Sequence, residues 1–185
     1  MMSEASSAAN ELERPSRDDT PRWREPVRKR LRLLVLGVGN LLMSDDGVGV
    51  HDVNVLRKKP RTGVLITEVG TSILDAVPLL CWADRVLVID ALHANDPPGS
   101  LYFAKFADIL QEQGTLSLHE LDLSAALAFM PKEASRPEMF VLGVQPASID
   151  MGLELSPEVA AAIPKIEEFV TATVVEWRRE RMSND

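Results

Sequence analysis

Three side chains that can bind a metal ion or move a proton stand where the sequence places strand ends or the start of a helix. Asp46 follows the first apolar run of the chain, Asp90 ends a later run, and His119 opens a stretch with helical periodicity. Two carboxylates and an imidazole suit a borderline divalent ion such as nickel, zinc or manganese. Three protein ligands leave coordination positions open for water or substrate. The competing interpretation is that these acids only cap helices or lie in solvent.

The strands that would position these residues are predicted from short apolar runs. Residues 33–38 and 139–144 are unbroken apolar runs, and 85–90 has four consecutive apolar residues before its terminal acid, Asp90, which indicates parallel strands buried on both faces. A further strand is predicted at residues 64–69, and the alternating pattern of 101–106 is typical of a more exposed strand.

Stretches with helical spacing separate these strands. They cover residues 47–58, 73–82 and 118–130, and a last helix is predicted from Pro157 to about residue 181, with Ser156 as its N-cap. Strands alternating with helices indicate an α/β fold, a single three-layer domain whose mostly parallel sheet is covered by helices on both faces. Ligands of such sheets bind beyond the carboxyl ends of the strands, so Asp46, Asp90 and His119 are expected at one edge.

Asp46 lies within a glycine-rich segment that could be mistaken for a nucleotide-binding loop. A dinucleotide-binding fingerprint requires a third glycine where this chain has Leu42, and the adjacent acids Asp45 and Asp46 would repel a pyrophosphate. A nucleotide-binding oxidoreductase is therefore disfavoured. We expect one of the two acids to cap the following helix. The glycines should let the backbone bend closely around whatever the other acid holds: Gly37, Gly39, Gly47 and Gly49.

The remaining candidate residues have simpler interpretations. His51 is predicted to be a surface or packing residue of the first helix, and His93 a loop residue that could support Asp90. Cys81 stands among apolar residues and is interpreted as a small buried side chain, not a nucleophile. No serine-hydrolase elbow or zinc-protease helix motif is present.

The composition excludes several classes of function. The chain has 185 residues, with 20 Lys and Arg against 28 Asp and Glu, and its net charge of −8 disfavours nucleic acid as a partner. A single cysteine excludes an intramolecular disulfide or a cysteine-rich metal cluster. No apolar run approaches the roughly 20 residues that span a bilayer. These features predict a cytoplasmic protein that contacts no membrane. Residues 1–30 are predicted to be a disordered tail, and residues 31–185 the folded domain.

The segment around Asp46 also resembles a known family. The string Val35 to Gly49, VLGVGNLLMSDDGVG, is similar to the opening signature of the hydrogenase maturation endopeptidases. The resemblance covers essentially the whole folded part and continues in order through four shorter motifs: Gly70-Thr71, Val88-Ile89-Asp90-Ala91, Ser117-Leu118-His119-Glu120 and Leu142-Gly143-Val144-Gln145-Pro146.

This resemblance implies an aspartic-type, nickel-dependent endopeptidase, a hydrolase. It would remove the C-terminal extension of a nickel–iron hydrogenase large-subunit precursor after nickel insertion. Carried over residue by residue, the family's catalytic and metal-contacting residues fall on Asp46, Asp90 and His119; many members have Glu at the first position. The nickel would be supplied by the substrate, with zinc or another divalent ion as a stand-in.

Further expectations follow from the same reasoning. Asn40 and the backbone amides near Gly39 or Gly70 could polarise the scissile carbonyl. The partner would be the hydrogenase precursor, and the chain is expected to act as a monomer. The alternative is a non-catalytic, metal-binding or chaperone-like protein that holds the precursor without cutting it.

Overall fold

The computed structural model describes residues 30–110 and 118–183, and side chains are described for these ranges except at 118–122. The predicted tail therefore lies outside the described residues, apart from its last residue, Arg30.

The described residues form one five-stranded sheet with the strand order β2-β1-β3-β5-β4. Strands β1, β2, β3 and β5 are parallel, and β4 pairs antiparallel with β5 at the edge. This arrangement confirms the predicted mostly parallel sheet. The strands are β1 Leu33–Val38, β2 Val64–Gly70, β3 Arg85–Ala91, β4 Leu101–Lys105 and β5 Glu138–Val144.

Helices connect and cover the strands. They are α1 Val48–Leu56, α2 Val77–Trp82, α3 Phe106–Ile109, α4 Leu118–Phe129 and α5 Pro157–Ser183, with short 3₁₀ helices at Ser44–Gly47 and Ile73–Ala76. Ser156 caps α5 as predicted, because its Oγ accepts a hydrogen bond from Val159 N at 3.3 Å. The first helix differs from the prediction, since it starts as the 3₁₀ helix and continues as α1. No helix in the described ranges is long and apolar enough to cross a membrane.

Each face of the sheet has its own core, and the unbroken apolar runs supply both. Alternate residues of a strand point to opposite faces. In β1, Leu33 and Val35 therefore pack with α5 residues such as Ile166, whereas Leu34 and Leu36 pack on the other side. All four are buried, which explains why β1 lacks polar alternation.

One carboxylate is buried in this apolar environment, at a cost to stability when it is ionised. Asp52 of α1 is fully buried, and neither of its carboxylate oxygens has a hydrogen-bond partner among the described residues. Burial and, to a smaller extent, the charge of Glu167 raise its pKa, and the charge of Arg61 lowers it, so that the pKa lies at about 7. Because the folded pKa exceeds the unfolded value, Asp52 favours folding most at acidic pH, and this contribution is lost as pH rises through 7.

We therefore expect Asp52→Asn to stabilise the protein above neutral pH. The gain in the free energy of unfolding should be about 4 kcal/mol at pH 8 and smaller at pH 5, where the folded carboxyl is already protonated. Denaturant unfolding at both pH values measures it. The exposed Asp75→Asn is the matched control and should change little. An equal gain at both pH values for Asp52→Asn would contradict the assignment.

Candidate active site

Tight backbone packing fixes the loop after β1 against the end of β3. Gly39 has a φ of +128°, and a Cβ there would overlap the carbonyl oxygen of Asp46. A Cβ on Gly49 would overlap the carbonyl oxygens of Ile89 and Val38. The start of α1 therefore lies directly on the carboxyl ends of β1 and β3. Gly39 and Gly49 are therefore required where backbone segments approach one another closely, and their expected role around a group held by the acid stays a prediction.

Asp46 is positioned by the loop that precedes it. Its Oδ2 accepts a hydrogen bond from Asn40 N at 2.9 Å, and Asn40 Oδ1 accepts one from Leu42 N at 3.0 Å. The Asp46 side chain is half-buried. Among the described residues no donor contacts its Oδ1, so one oxygen orients the group and the other is available to a ligand.

Asp90 lies at the same edge of the sheet. It is buried near the carboxyl end of β3, and its Oδ1 accepts a hydrogen bond from Ala91 N at 2.8 Å. The 3₁₀ helix that carries Asp46 contacts β3. The structure thus brings together the elements that hold two of the three predicted site residues.

His119 is the second residue of α4, but its side chain lies outside the described residues. Among the side chains that are described, no group of three His, Cys, Asp or Glu is placed to hold a metal ion. The joint ligand set of Asp46, Asp90 and His119 therefore stays a prediction. Two carboxylates alone are hard oxygen donors, and an imidazole is the ligand that would suit nickel or zinc.

Asp45 has a different role from the one expected. Neither Asp45 nor Asp46 caps the following helix with its side chain, so that prediction was wrong. Asp45 is fully buried; its Oδ2 accepts hydrogen bonds from Ala147 N at 2.8 Å and Ser148 N at 3.1 Å, and its Oδ1 from Ser156 N at 2.7 Å. Asp45 thus ties the glycine loop to the segment that leads into α5.

The pKa of Asp45 reflects these hydrogen bonds. Burial acts to raise the pKa of this carboxyl, but the backbone N–H groups of Ser156, Ser148 and Ala147 outweigh it and hold the pKa below its usual value. The group is therefore ionised throughout the physiological pH range. This role could not be predicted from the sequence, because residues 147–156 lack any periodic pattern and only the pair of adjacent acids, Asp45 and Asp46, drew attention to the loop.

The backbone donor expected near Gly39 is not available for catalysis. Gly39 N donates to Gly70 O at 3.2 Å, and Asn40 N donates to Asp46, so neither amide can polarise a scissile carbonyl. The side-chain Nδ2 of Asn40 has no acceptor among the described residues. It is the donor of this loop that could meet a substrate.

The other candidate side chains lie outside this constellation. His93 is exposed in the loop after β3, and Cys81 is half-buried against the core that α2 covers, less buried than predicted. His51 is half-buried on α1, as a packing residue would be, although its Nε2 is buried without a hydrogen-bond partner among the described residues.

The sequence is similar to one known protein family over most of its length. The profile of the hydrogenase maturation protease family matches residues 50–173, more than half of the chain. The hydrogenase expression/formation protein HupM of Azotobacter chroococcum is 31% identical over 166 residues, covering 82% of this chain and 79% of HupM. The hydrogenase 2 maturation protease of Escherichia coli is 28% identical over 148 residues, 77% of this chain and 90% of that protein.

Solved structures agree with these sequence matches. The hydrogenase maturating endopeptidase HybD from E. coli superposes with a TM-score of 0.69 at 28% identity, covering 79% of this chain and 93% of HybD. The [NiFe] hydrogenase maturation protease HybD from Thermococcus kodakarensis gives a TM-score of 0.67 at 30% identity, covering 77% of this chain and 99% of that protein.

Proposed function

The chain belongs to the hydrogenase maturation protease family, and we propose on that basis that it removes the C-terminal extension of a nickel–iron hydrogenase large-subunit precursor. The observation that carries the proposal is the placement of Asp46 and Asp90 on contacting elements at the carboxyl edge of the sheet. Such an edge is where α/β folds bind ligands.

Nickel enters this proposal as part of the substrate. Asp46, Asp90 and His119 would contact a nickel ion that the precursor already holds, and this contact would place the scissile peptide in register. Aspartate at position 46 is one methylene shorter than the glutamate that the family resemblance would also allow there, so in this scheme the substrate ion comes closer to the loop. The protein needs no resident metal in this scheme.

The reaction itself is the hydrolysis of one peptide bond. A water oxygen attacks the scissile carbonyl carbon while a carboxylate at the site accepts the water proton. The C–N bond then breaks, and that proton passes to the departing amine, which yields the shortened subunit and a free C-terminal peptide. Asp46 and Asp90 are our candidates for the proton acceptor.

Asn40 is proposed to support the reaction through its side-chain amide. Asn40→Asp retains the Oδ1 acceptor for Leu42 N but removes the Nδ2 donor, so the loop should keep its shape. Loss of a donor to the developing oxyanion should reduce kcat by roughly 10²-fold, with KM little changed. Single-turnover cleavage of the precursor measures this effect. Because Asp also adds a charge, Asn40→Ser is the neutral companion, and full kcat in both variants would exclude the role.

Several finer features complete the proposal. We place the protein in the cytoplasm as a monomer, with aspartic-type chemistry that depends on nickel in the substrate. The net charge of −8 fits a protein partner better than nucleic acid.

The experiment that tests the function is intact-mass spectrometry of purified precursor after incubation with the protein. A loss of mass equal to a C-terminal peptide supports the peptidase. A stable complex without any loss of mass would overturn it and favour the chaperone-like alternative. Asp90→Asn serves as the inactive control.

A further inference from the structure

An exposed apolar surface borders the candidate site. It consists of five aliphatic side chains on two chain segments, here called the aliphatic patch: Leu41, Leu42, Ile149, Met151 and Leu153. Leu42 is 61% exposed, Met151 89% and Leu153 64%. Single exposed apolar residues are ordinary, but a group of large ones on adjoining segments typically marks a binding surface.

Backbone hydrogen bonds join the two segments into one surface. Gly152 N donates to Leu42 O at 2.9 Å, and Ser44 N donates to Gly152 O at 2.8 Å. Met151 and Leu153 therefore flank the residue that pairs with Leu42. The buried Asp45 carboxylate holds the same two segments together through its three backbone donors. A surface fixed in this way loses little conformational freedom on binding.

The patch is continuous with the candidate site along the chain. Leu41 and Leu42 lie between Asn40 and Asp46, the two residues whose hydrogen bond closes the loop. A peptide whose scissile bond reaches Asp46 would therefore pass over or beside these leucines. This contiguity favours the substrate itself as the occupant over an unrelated partner.

The charges around the patch indicate which kind of peptide segment could bind there. Asp150 and Glu154 are exposed and alternate with the patch residues, and residues 147–156 contain no Lys or Arg. An apolar segment next to a basic side chain complements this surface, whereas an acidic one would be repelled.

We infer that the aliphatic patch binds an apolar segment of the hydrogenase precursor adjoining the scissile bond, with a basic side chain beside it. This inference rests on the proposed function and adds the determinant of substrate affinity. Because the patch holds the peptide without touching the reacting atoms, its loss should change KM and the precursor Kd, and leave kcat unchanged.

The test compares the double variant Met151→Ser/Leu153→Ser with wild type and with Met182→Ser. Met182 is a matched control, since it is 72% exposed and lies far from the patch, near the end of α5. That end of α5 lies at the opposite edge of the sheet, because its Glu180 forms an ion pair with Arg85 at the start of β3. We expect the double variant to raise KM and the precursor Kd by about tenfold or more, with kcat within about twofold of wild type. Glu154→Gln should weaken binding more at low salt than at high salt.

The outcomes separate this inference from the proposed function. If wild type cleaves the precursor and the double variant keeps the wild-type KM and Kd, the inference is overturned and the peptidase stands. If wild type binds without cleaving and the double variant binds more weakly, the peptidase fails and the patch is supported. If wild type neither binds nor cleaves, both are overturned.

Discussion

Replacing Asp46 with Asn is expected to reduce processing of the precursor by about 10²- to 10⁴-fold, the range for removal of a group that moves a proton. The asparagine keeps an oxygen that can accept from Asn40 N, so the loop should fold as before. It removes the negative charge that would face the substrate nickel. Asp90→Asn and His119→Ala should give losses of the same order, because each removes a member of the same proposed set. Quantitative mass spectrometry of the cleaved precursor measures all three.

Combining the substitutions provides a stricter test. Residues that act as one unit give non-additive losses, so Asp46→Asn/Asp90→Asn should be about as inactive as either single variant. The melting temperatures of all the variants should stay close to that of wild type. Normal processing by Asp90→Asn or His119→Ala would contradict the proposal that these residues contact the substrate nickel.

Asp45→Asn is expected to destabilise the protein by about 3 kcal/mol, because an unsatisfied buried polar group costs its full desolvation penalty. Asp45 accepts hydrogen bonds on both carboxylate oxygens, whereas an asparagine would turn its NH₂ toward one set of N–H donors. The adjacent Asp46→Asn is the matched control, because its half-buried side chain accepts only from Asn40 among the described residues. Denaturant unfolding at neutral pH measures the difference.

The pH dependence of stability adds a second check on Asp45. Its folded pKa lies below the unfolded value, so its contribution is present above the ordinary aspartate pKa and is lost as pH falls through the folded pKa. Wild type and Asp45→Asn should therefore converge in stability under strongly acidic conditions. Equal unfolding free energies for the two at neutral pH would show that Asp45 does not hold the loop.

The sequence predicted the sheet well because burial is encoded locally. The apolar runs of β1, β3 and β5 have no polar alternation, and only a strand covered on both faces permits this. The alternation of residues 101–106 predicted a more exposed strand, and β4 is partly exposed at the edge of the sheet. The position of Asp46 and Asp90 at one edge also followed, since parallel strands end at the same side.

The sequence could not predict contacts that join distant, irregular segments. Asp45 accepts hydrogen bonds from residues more than one hundred positions away, and residues 147–156 have no periodicity that would indicate such a partner. Likewise, the hydrogen bond that Gly39 N donates to Gly70 O forms only because β1 pairs with β2. Such hydrogen bonds decide which of two adjacent acids is structural and which can meet substrate, and only the folded chain shows them.

The nickel dependence of cleavage shows whether the protein recognises a nickel ion held by its substrate. Precursor prepared with and without nickel is incubated with wild-type protein, and the intact mass of the large subunit is followed over time. We expect loss of a C-terminal peptide from nickel-loaded precursor alone, and none with Asp46→Asn. Cleavage of nickel-free precursor at the same rate would contradict this recognition.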